Sequence, residues 1–408
     1  MSPLRFFFRK TRGTEAVHHD VSGKRTELEQ VVAEEGIPND PLKKTLGDDY
    51  YLAGQWTLMW RKFRRHRLAR VSLVVLGVFY FVAIFANFFS VQGLRSYDSR
   101  FTNAPPTRIR IIHHEDGLRL PFVYGLTFER DPETMRRRYV ADESVAYQVR
   151  ILTRGEPYRF WGLFETDIRF FGVEDPGRIF LLGTDGMGRD LFSRMVHGAR
   201  VSLSIGMVGV IISLVIGTVM GAISGYFGGA VDTVIQRIIE VLRSFPEIPL
   251  WMGLSAALPP NMPIVQTYFL ITVILSFIGW TGLARAVRGK FISMREEDYI
   301  MAAKVSGASD ARVIRKHMIP GFMSYLLVEV TLAVPRMILA ETSLSFLGLG
   351  LRSPATSWGV LLQEAQSIQA ISLYPWLLVP VIPVIVTVLA FNFAGDGLRD
   401  AADPYHEG

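Results

Sequence analysis

The chain has 408 residues and no cysteine, which excludes disulfides, thiolate metal sites, iron–sulfur clusters and cysteine nucleophiles. Apolar residues make up 49% of it and the mean hydropathy is +0.25; they gather in blocks of the length a bilayer crossing needs, about 20 residues. That distribution excludes an ordinary cytosolic enzyme and intrinsic disorder. The formal net charge of +6 reads in such a chain as a topology signal rather than as nucleic-acid binding.

Residues 1–67 are polar and are expected to form a cytoplasmic tail. Residues 1–70 hold 14 Lys and Arg against 9 Asp and Glu, and six of the basic residues fall between Arg61 and Arg70. Leu52, Trp56, Met59, Trp60 and Phe63 recur at helical spacing beside Arg61, Lys62, Arg64 and Arg65. This pattern predicts an amphipathic helix on the cytoplasmic headgroups, or equally an inward extension of the first span. The first apolar block starts only at residue 68, behind this long leader, a layout unlike a cleavable signal peptide. Leu68–Val91 is the first predicted span, and the basic cluster before it sets the N-terminus inside.

Residues 92–199 form a polar insert of 108 residues with 16 Arg, no Lys and 15 acidic residues. It is expected to be a small mixed periplasmic module, with strands at Arg108–Ile112 and Tyr147–Leu152. The pattern Gly183-Thr184-Asp185-Gly186-Met187-Gly188 reads as a turn. Within residues 200–396, further spans are predicted at 201–227, 232–258, 264–283, 322–344 and 375–393, with the tail 397–408 inside. Gly217, Gly221 and Gly225 stand four apart, as in a face that lets another helix approach closely. Pro246 and Pro249 interrupt the third span, and Arg237, Glu240 and Arg243 near its inner end suggest ion pairing at i, i+3. The stretch from Arg285 to Lys316 holds 8 Lys and Arg against 4 acidic residues, whereas 351–374 holds one Arg and no Lys. The first of these loops is therefore placed inside, and six crossings with both termini cytoplasmic follow.

Catalytic motifs are lacking. Gly289-Lys290 is followed by Phe291 and has no glycine at the offset a phosphate loop needs. The eight histidines form no H-E-x-x-H, and no G-x-S-x-G elbow occurs. His113-His114 has no partner at metal-ligand spacing. Embedded charges usually mark a functional path or a buried pairing, so Glu329, Arg336 and Glu341 are candidates to line a translocation path or to pair with a partner subunit. A self-sufficient proton-coupled secondary transporter, with Glu240, Glu329 or Glu341 as carrier, is the alternative; the internal repeat common in that class is not evident.

The loop between the fourth and fifth spans carries the clearest chemistry. Glu296, Glu297 and Asp298 favour a helix start. Ala302 and Ala303 offer a small-residue surface, Gly307 ends the turn or lets a backbone approach, Ser309 or Asp310 caps a second helix, and Pro320 stops it. The run A-A-x-x-x-G, with Pro320 thirteen residues beyond Gly307, resembles the "EAA" coupling loop of bacterial ABC-importer permeases, with Met301 at the position of the motif's Glu. Leu182-Gly183-Thr184-Asp185, Gly188-Arg189-Asp190, Gly225-Tyr226-Phe227-Gly228-Gly229, Ser343-Leu344-Ser345-Phe346-Leu347-Gly348-Leu349-Gly350 and Asp396-Gly397-Leu398-Arg399-Asp400 narrow this. Together they resemble the C-type permease subunit of dipeptide, oligopeptide and nickel importers over residues 178–404. The resemblance implies an all-α integral membrane protein with the type I ABC-importer permease fold, in the bacterial inner membrane, and no enzyme activity of its own. Its implied partners are a B-type permease subunit, two ATP-binding subunits that hold ATP-Mg so that this chain needs no cofactor, and a periplasmic or lipid-anchored solute-binding protein, besides membrane lipid and without nucleic acid. It also implies that 296–320 is the ATPase contact, through Asp298, Tyr299, Ala302, Ala303, Gly307 and Pro320.

Overall fold

The computed structural model describes residues 55–402 except 114–116, 134 and 260. Leu52 and His114 thus lie outside the described residues. The chain divides into two units, Met1–Leu58 and Met59–Gly408. Of the first, only the opening turn of a helix is described.

That helix, α1 (Gln55–Arg65), is separate from α2 (Arg67–Ile84). His66 breaks the backbone between them at φ −76°, ψ 103°, and its Nδ1 accepts the Ala69 N–H at 3.1 Å as an N-cap. The extension reading is therefore set aside. Two residues of the apolar face of α1, Met59 and Phe63, are buried in a cluster with Ala69 and Ala401, and Trp60 is exposed. A short helix, α3 (Ala86–Phe89), ends the first apolar block.

Among the described residues the insert is mainly antiparallel strands, with one helical turn at Ser99–Phe101. Strands β1 (Arg110–His113), β2 (Gly117–Arg130) and β3 (Arg137–Gln148) form one antiparallel sheet, and β4 (Arg150–Phe160) and β5 (Phe164–Gly172) a second. The strand expected at 147–152 straddles the junction at Val149, because an apolar run does not show where one strand hands over to the next. Arg169, buried on β5, fastens the insert to the first span. Its guanidinium donates to the Ser90 carbonyl at 2.9 Å, to Ser90 Oγ at 2.8 Å and to the Glu156 carbonyl at 3.2 Å. Carbonyl and hydroxyl partners satisfy donors that would otherwise be costly to bury.

The insert also ends earlier than expected. Asp190 accepts the Ser193 N–H at 2.7 Å and starts α4 (Leu191–Phe227), so the polar residues 191–200 are already helical. Ahead of it the predicted turn is present, with Gly183 and Gly188 at φ +79° and +80°. A charge cluster locks this region to α11 (Trp358–Glu364). Arg189 and Arg194 both pair with Asp185, and Glu364 accepts Arg194 at 2.8 Å and Arg189 at 3.0 Å.

Among the described residues, five helices are long and apolar enough to cross a membrane: 67–84, 191–227, 264–294, 323–346 and 375–402. In place of the third expected span stand two shorter helices, α5 (Gly229–Ser244) and α6 (Glu247–Ala256). Pro246 has no N–H to continue the ladder and restricts Phe245 to extended backbone, observed at φ −85°, ψ 137°. Helix α7 (Ile264–Met294) then lies along α4. Here the three glycines do what their spacing suggests: a Cβ on Gly221 would come within 2.4 Å of the Ala284 carbonyl oxygen, and one on Gly225 within 2.6 Å of Phe291 Cβ. Gly206 and Gly209 on the same helix admit Ile338 and Met337 of α10 (Met323–Phe346). The last helix, α12 (Val381–Ala402), accepts α2 at Gly397 and α10 at Gly395.

Gly221→Ala is expected to lower the unfolding temperature in detergent, with a cost of about 1–3 kcal/mol for overpacking. Gly289→Ala, whose Cβ meets nothing within 4 Å, is expected to be neutral or to stabilise by about 0.5–1 kcal/mol. Arg194→Met leaves Asp185 and Glu364 with Arg189 alone and is expected to cost about 3 kcal/mol. Burial holds the Glu364 carboxyl above its usual range; Arg194 pulls it down and Asp185 pushes it up again. The native chain therefore binds this proton before the unfolded chain does, and the group's contribution to stability grows as pH falls from neutral. The penalty of Arg194→Met is expected to be smaller at acidic than at neutral pH, read from unfolding midpoints of both proteins.

Candidate functional site

The polar loop after α7 folds into α8 (Asp298–Val305), a helical turn α9 (Asp310–Val313) and an irregular helical stretch over 314–321. One side chain of α8 anchors it: Ile300 is fully buried with Phe291, Met294, Val313, Met318 and Phe322. Helix geometry turns the neighbours away, so Tyr299 and Met301 are 48% and 51% exposed and Val305 is 88% exposed. The two alanines part company, since successive helical residues lie about 100° apart. Ala302 faces outward, while Ala303 packs against the Ile300 cluster. Asp298 and Pro320 are exposed at either end of the loop. Gly307 closes α8 at φ +80°, with its N–H on the Lys304 carbonyl at 2.9 Å and the Ala308 N–H on the Ala303 carbonyl at 3.1 Å. The space around Gly307 is open, so the positive φ and not crowding requires glycine there.

A clamp joins this loop to α4. Tyr226 Oη donates to Asp310 Oδ1 at 2.5 Å, and Lys304 Nζ stands 4.7 Å over the Tyr226 ring. Ala222 and Tyr226 belong to the same buried cluster as Ile300. Beside it Arg288 of α7 grips Asp232 of α5 through two hydrogen bonds of 2.6 and 2.5 Å. Sequence reasoning included Tyr226 in a motif and Asp310 as a cap without joining them, because the two are 84 positions apart.

The embedded charges separate into two groups. Glu329 and Arg336 line a cavity of about 170 Å³ among α4, α5, α6, α7 and α10, together with Arg243, Glu247 and Trp251. Glu329 Oε2 lies 3.9 Å from Arg336 Nη2, and Tyr325 Oη donates to Glu329 at 3.0 Å. Trp251 Nε1 and Ser213 Oγ, on the same wall, are buried without a hydrogen-bond partner. Glu341 lies elsewhere. It is fully buried and accepts Ser202 Oγ at 3.1 Å and Ser345 Oγ at 2.8 Å, which places it between α4 and α10 as a fastening and away from the cavity. Arg237 and Glu240 form the expected i, i+3 pair at 2.8 Å, exposed, while Arg243 turns to the cavity. Glu247 and Trp251 were not singled out from the sequence; the signal was the proline break, which starts a new helix whose first turn faces inward.

Residues 217–405 match the family model described as binding-protein-dependent transport system inner membrane component. Residues 54–106 match the N-terminal TM domain of oligopeptide transport permease C. The chain is 40% identical over 223 residues to the dipeptide transport system permease protein DppC of Bacillus subtilis, covering 54% of this chain and 68% of that protein. It is 44% identical over 223 residues to the oligopeptide transport system permease protein OppC of Escherichia coli, covering 54% and 71%. A chain of the inward-facing MetNI methionine ABC transporter aligns with 18% identity and a TM-score of 0.41, over 53% of this chain and 99% of that one.

The chain belongs to the family of binding-protein-dependent ABC-importer permeases, among the C-type subunits. It is therefore a multi-pass inner-membrane permease and not an enzyme; ATP hydrolysis belongs to separate subunits of such an importer, which also includes another permease and a binding protein. The relatives lend no support to the proton-coupled alternative.

The clamp makes a local prediction. Tyr226→Phe removes a hydrogen bond to a carboxylate, worth about 1.5–3 kcal/mol. Amide exchange over 298–320 is expected to accelerate by about tenfold or more, with exchange in α4 and α7 unchanged.

Proposed function

We propose that this chain is one half of the translocation path of an importer for peptides or related oligomeric solutes. Its pseudo-symmetric partner is a B-type permease, and the cargo arrives from an extracytoplasmic binding protein. Two ATP-binding subunits on the cytoplasmic side hold ATP-Mg and grip residues 296–320. The names of the relatives, dipeptide and oligopeptide permeases, support the cargo class. The charge asymmetry between 285–316 and 351–374 supports cytoplasmic termini and an insert on the opposite side.

The observation that carries the coupling role is the two-sided character of α8. Its inner side is bolted to α4, α7 and α10 by Ile300 and Tyr226. Its outer side offers Tyr299, Met301, Ala302 and Val305 to whatever docks there. A partner that displaces α8 must therefore move the helices that also wall the Glu329–Arg336 cavity. Motion of rigid helices as a body is how such changes reach the centre of a membrane protein, and it becomes coupling when the two states differ in their contacts with the ATPase. In this reading Asp298, Gly307 and Pro320 shape the loop, Ala303 seats it, and Tyr299 and Ala302 touch the partner. Glu329 and Arg336 line the path, and Glu341 holds α4 to α10 rather than meeting cargo.

Because Ala302 and Val305 project from the surface, Ala302→Asp and Val305→Asp test contact without disturbing the fold. Each is expected to weaken co-purification of the ATPase subunits by about tenfold or more, the effect of about 1.4 kcal/mol, and to reduce uptake in parallel at an unchanged unfolding temperature. Wild-type ATPase association and uptake in both variants would remove the coupling assignment.

A further inference from the structure

The β4–β5 hairpin ends in an apolar tip, Phe160-Trp161-Gly162-Leu163-Phe164. The insert's core does not absorb it: Leu163 is 78% exposed, Phe164 58% and Trp161 55%. The turn itself is tight, with Trp161 at φ +48° and Gly162 at +78°. A large apolar group at the point of a hairpin, in a segment otherwise rich in arginine, needs an explanation.

Its position supplies one. Trp161 Nε1 donates to the carbonyl of Ile84, the last residue of α2, at 3.1 Å. Phe85 stacks near both Trp161 (5.3 Å between centroids) and Phe160 (5.9 Å). Arg200 of α4 donates to the carbonyls of Ala83 and Ile84 at 3.0 and 3.1 Å, so three donors close the open end of this helix. The tip thus stands level with the end of a membrane-crossing helix. Val78, Phe81 and Ile84 of that helix are themselves exposed, an apolar surface at membrane depth that runs up to the tip. Arg159 and Glu165, paired at 3.2 Å and solvent-accessible, sit one register step back from the Phe160–Phe164 pair. That order, apolar tip, indole, then a charged collar, is the order of a bilayer boundary from acyl chains to headgroups.

We propose that the tip of the β4–β5 hairpin is a lipid anchor, seated in the headgroup–acyl boundary at the end of α2 remote from the basic cluster 61–70. The occupant is the bilayer that surrounds α2, because the tip continues the same exposed apolar surface at the same depth. The indole suits that place, with an apolar body and an N–H satisfied by a helix-end carbonyl. Through Arg169 the anchored hairpin is tied to Ser90 at its root, so the hairpin is held at two points, by lipid at its tip and by the chain after α2 at its root. Its tilt over the membrane helices is then set by lipid as well as by protein. This inference does not depend on the cargo or on the coupling role.

The absence of native cysteine makes the test clean, since Leu163→Cys in the full-length chain carries one nitroxide label. In lipid nanodiscs its collision rate with oxygen, which concentrates in acyl chains, is expected to exceed that with a water-soluble nickel chelate several-fold. Val78→Cys on α2 should behave the same way, and Glu133→Cys in the β2–β3 turn should show the reverse. Phe164→Cys repeats the measurement one position on. Labels at 163 and 164 that follow the Glu133 pattern, or that are shielded from both reagents as beneath a covering protein, overturn the proposal.

Discussion

Close backbone approach at α4 is the constraint from which the membrane unit follows. Inside a bilayer, apolar side chains gain little by leaving lipid for protein, so helices associate through tight packing and a few polar contacts. α4 meets both demands along 37 residues. Toward its C-terminal end, Gly217, Gly221 and Gly225 bring it against the main chain of α7, and nearer its N-terminal end Gly206 and Gly209 admit α10. Ser276 of α7 reaches the Gly209 carbonyl at 3.1 Å, and Glu341 of α10 reaches Ser202. The polar contacts therefore occur where glycine has let the helices come near enough to make them.

The same logic separates what was legible in the sequence from what was not. Local signals read well: the glycine spacing, the turn at Gly183–Gly188, the helix break at Pro246 and the composition of the loop after α7 all correspond to structure. Signals that depend on facing direction were weaker. Ala302 and Ala303 read alike as small residues, yet one faces out and the other in. Glu341 read like Glu329 as a charge in an apolar span, and only the serines of α4 and α10 around it distinguish a fastening from a cavity wall. Long-range pairs were invisible. Arg194 and Glu364, 170 positions apart, and Tyr226 and Asp310 meet only because intervening helices fold back. The insert was legible as a module but not as hairpins, since a strand exposed on both faces lacks the alternation that marks a half-buried one.

The division of α5 from α6 also shapes the cavity. An uninterrupted helix would keep its ladder intact but could not redirect the chain between Arg243 and Glu247. The break starts a second helix with Glu247 in its first turn, so that two opposite charges from this segment face the Glu329–Arg336 pair across a small space. α5 and α6 bury few of their own residues, Ile235 and Ile239 on one and Ser255 on the other. A wall so thinly backed within one chain fits a permease that works beside a second one.

The length of α4 has a mechanical consequence. At 1.5 Å per residue it measures about 55 Å, well beyond the roughly 30 Å of a hydrocarbon core. Its first turns are pinned by Arg194 to Asp185 and Glu364, and its last by Tyr226 to Asp310. Such a strut, pivoting by about 10° at its pinned N-terminal joint, sweeps its opposite extremity through about 10 Å. Slight rocking at one surface thus becomes a displacement of side-chain dimensions at the other, with no hinge needed in between.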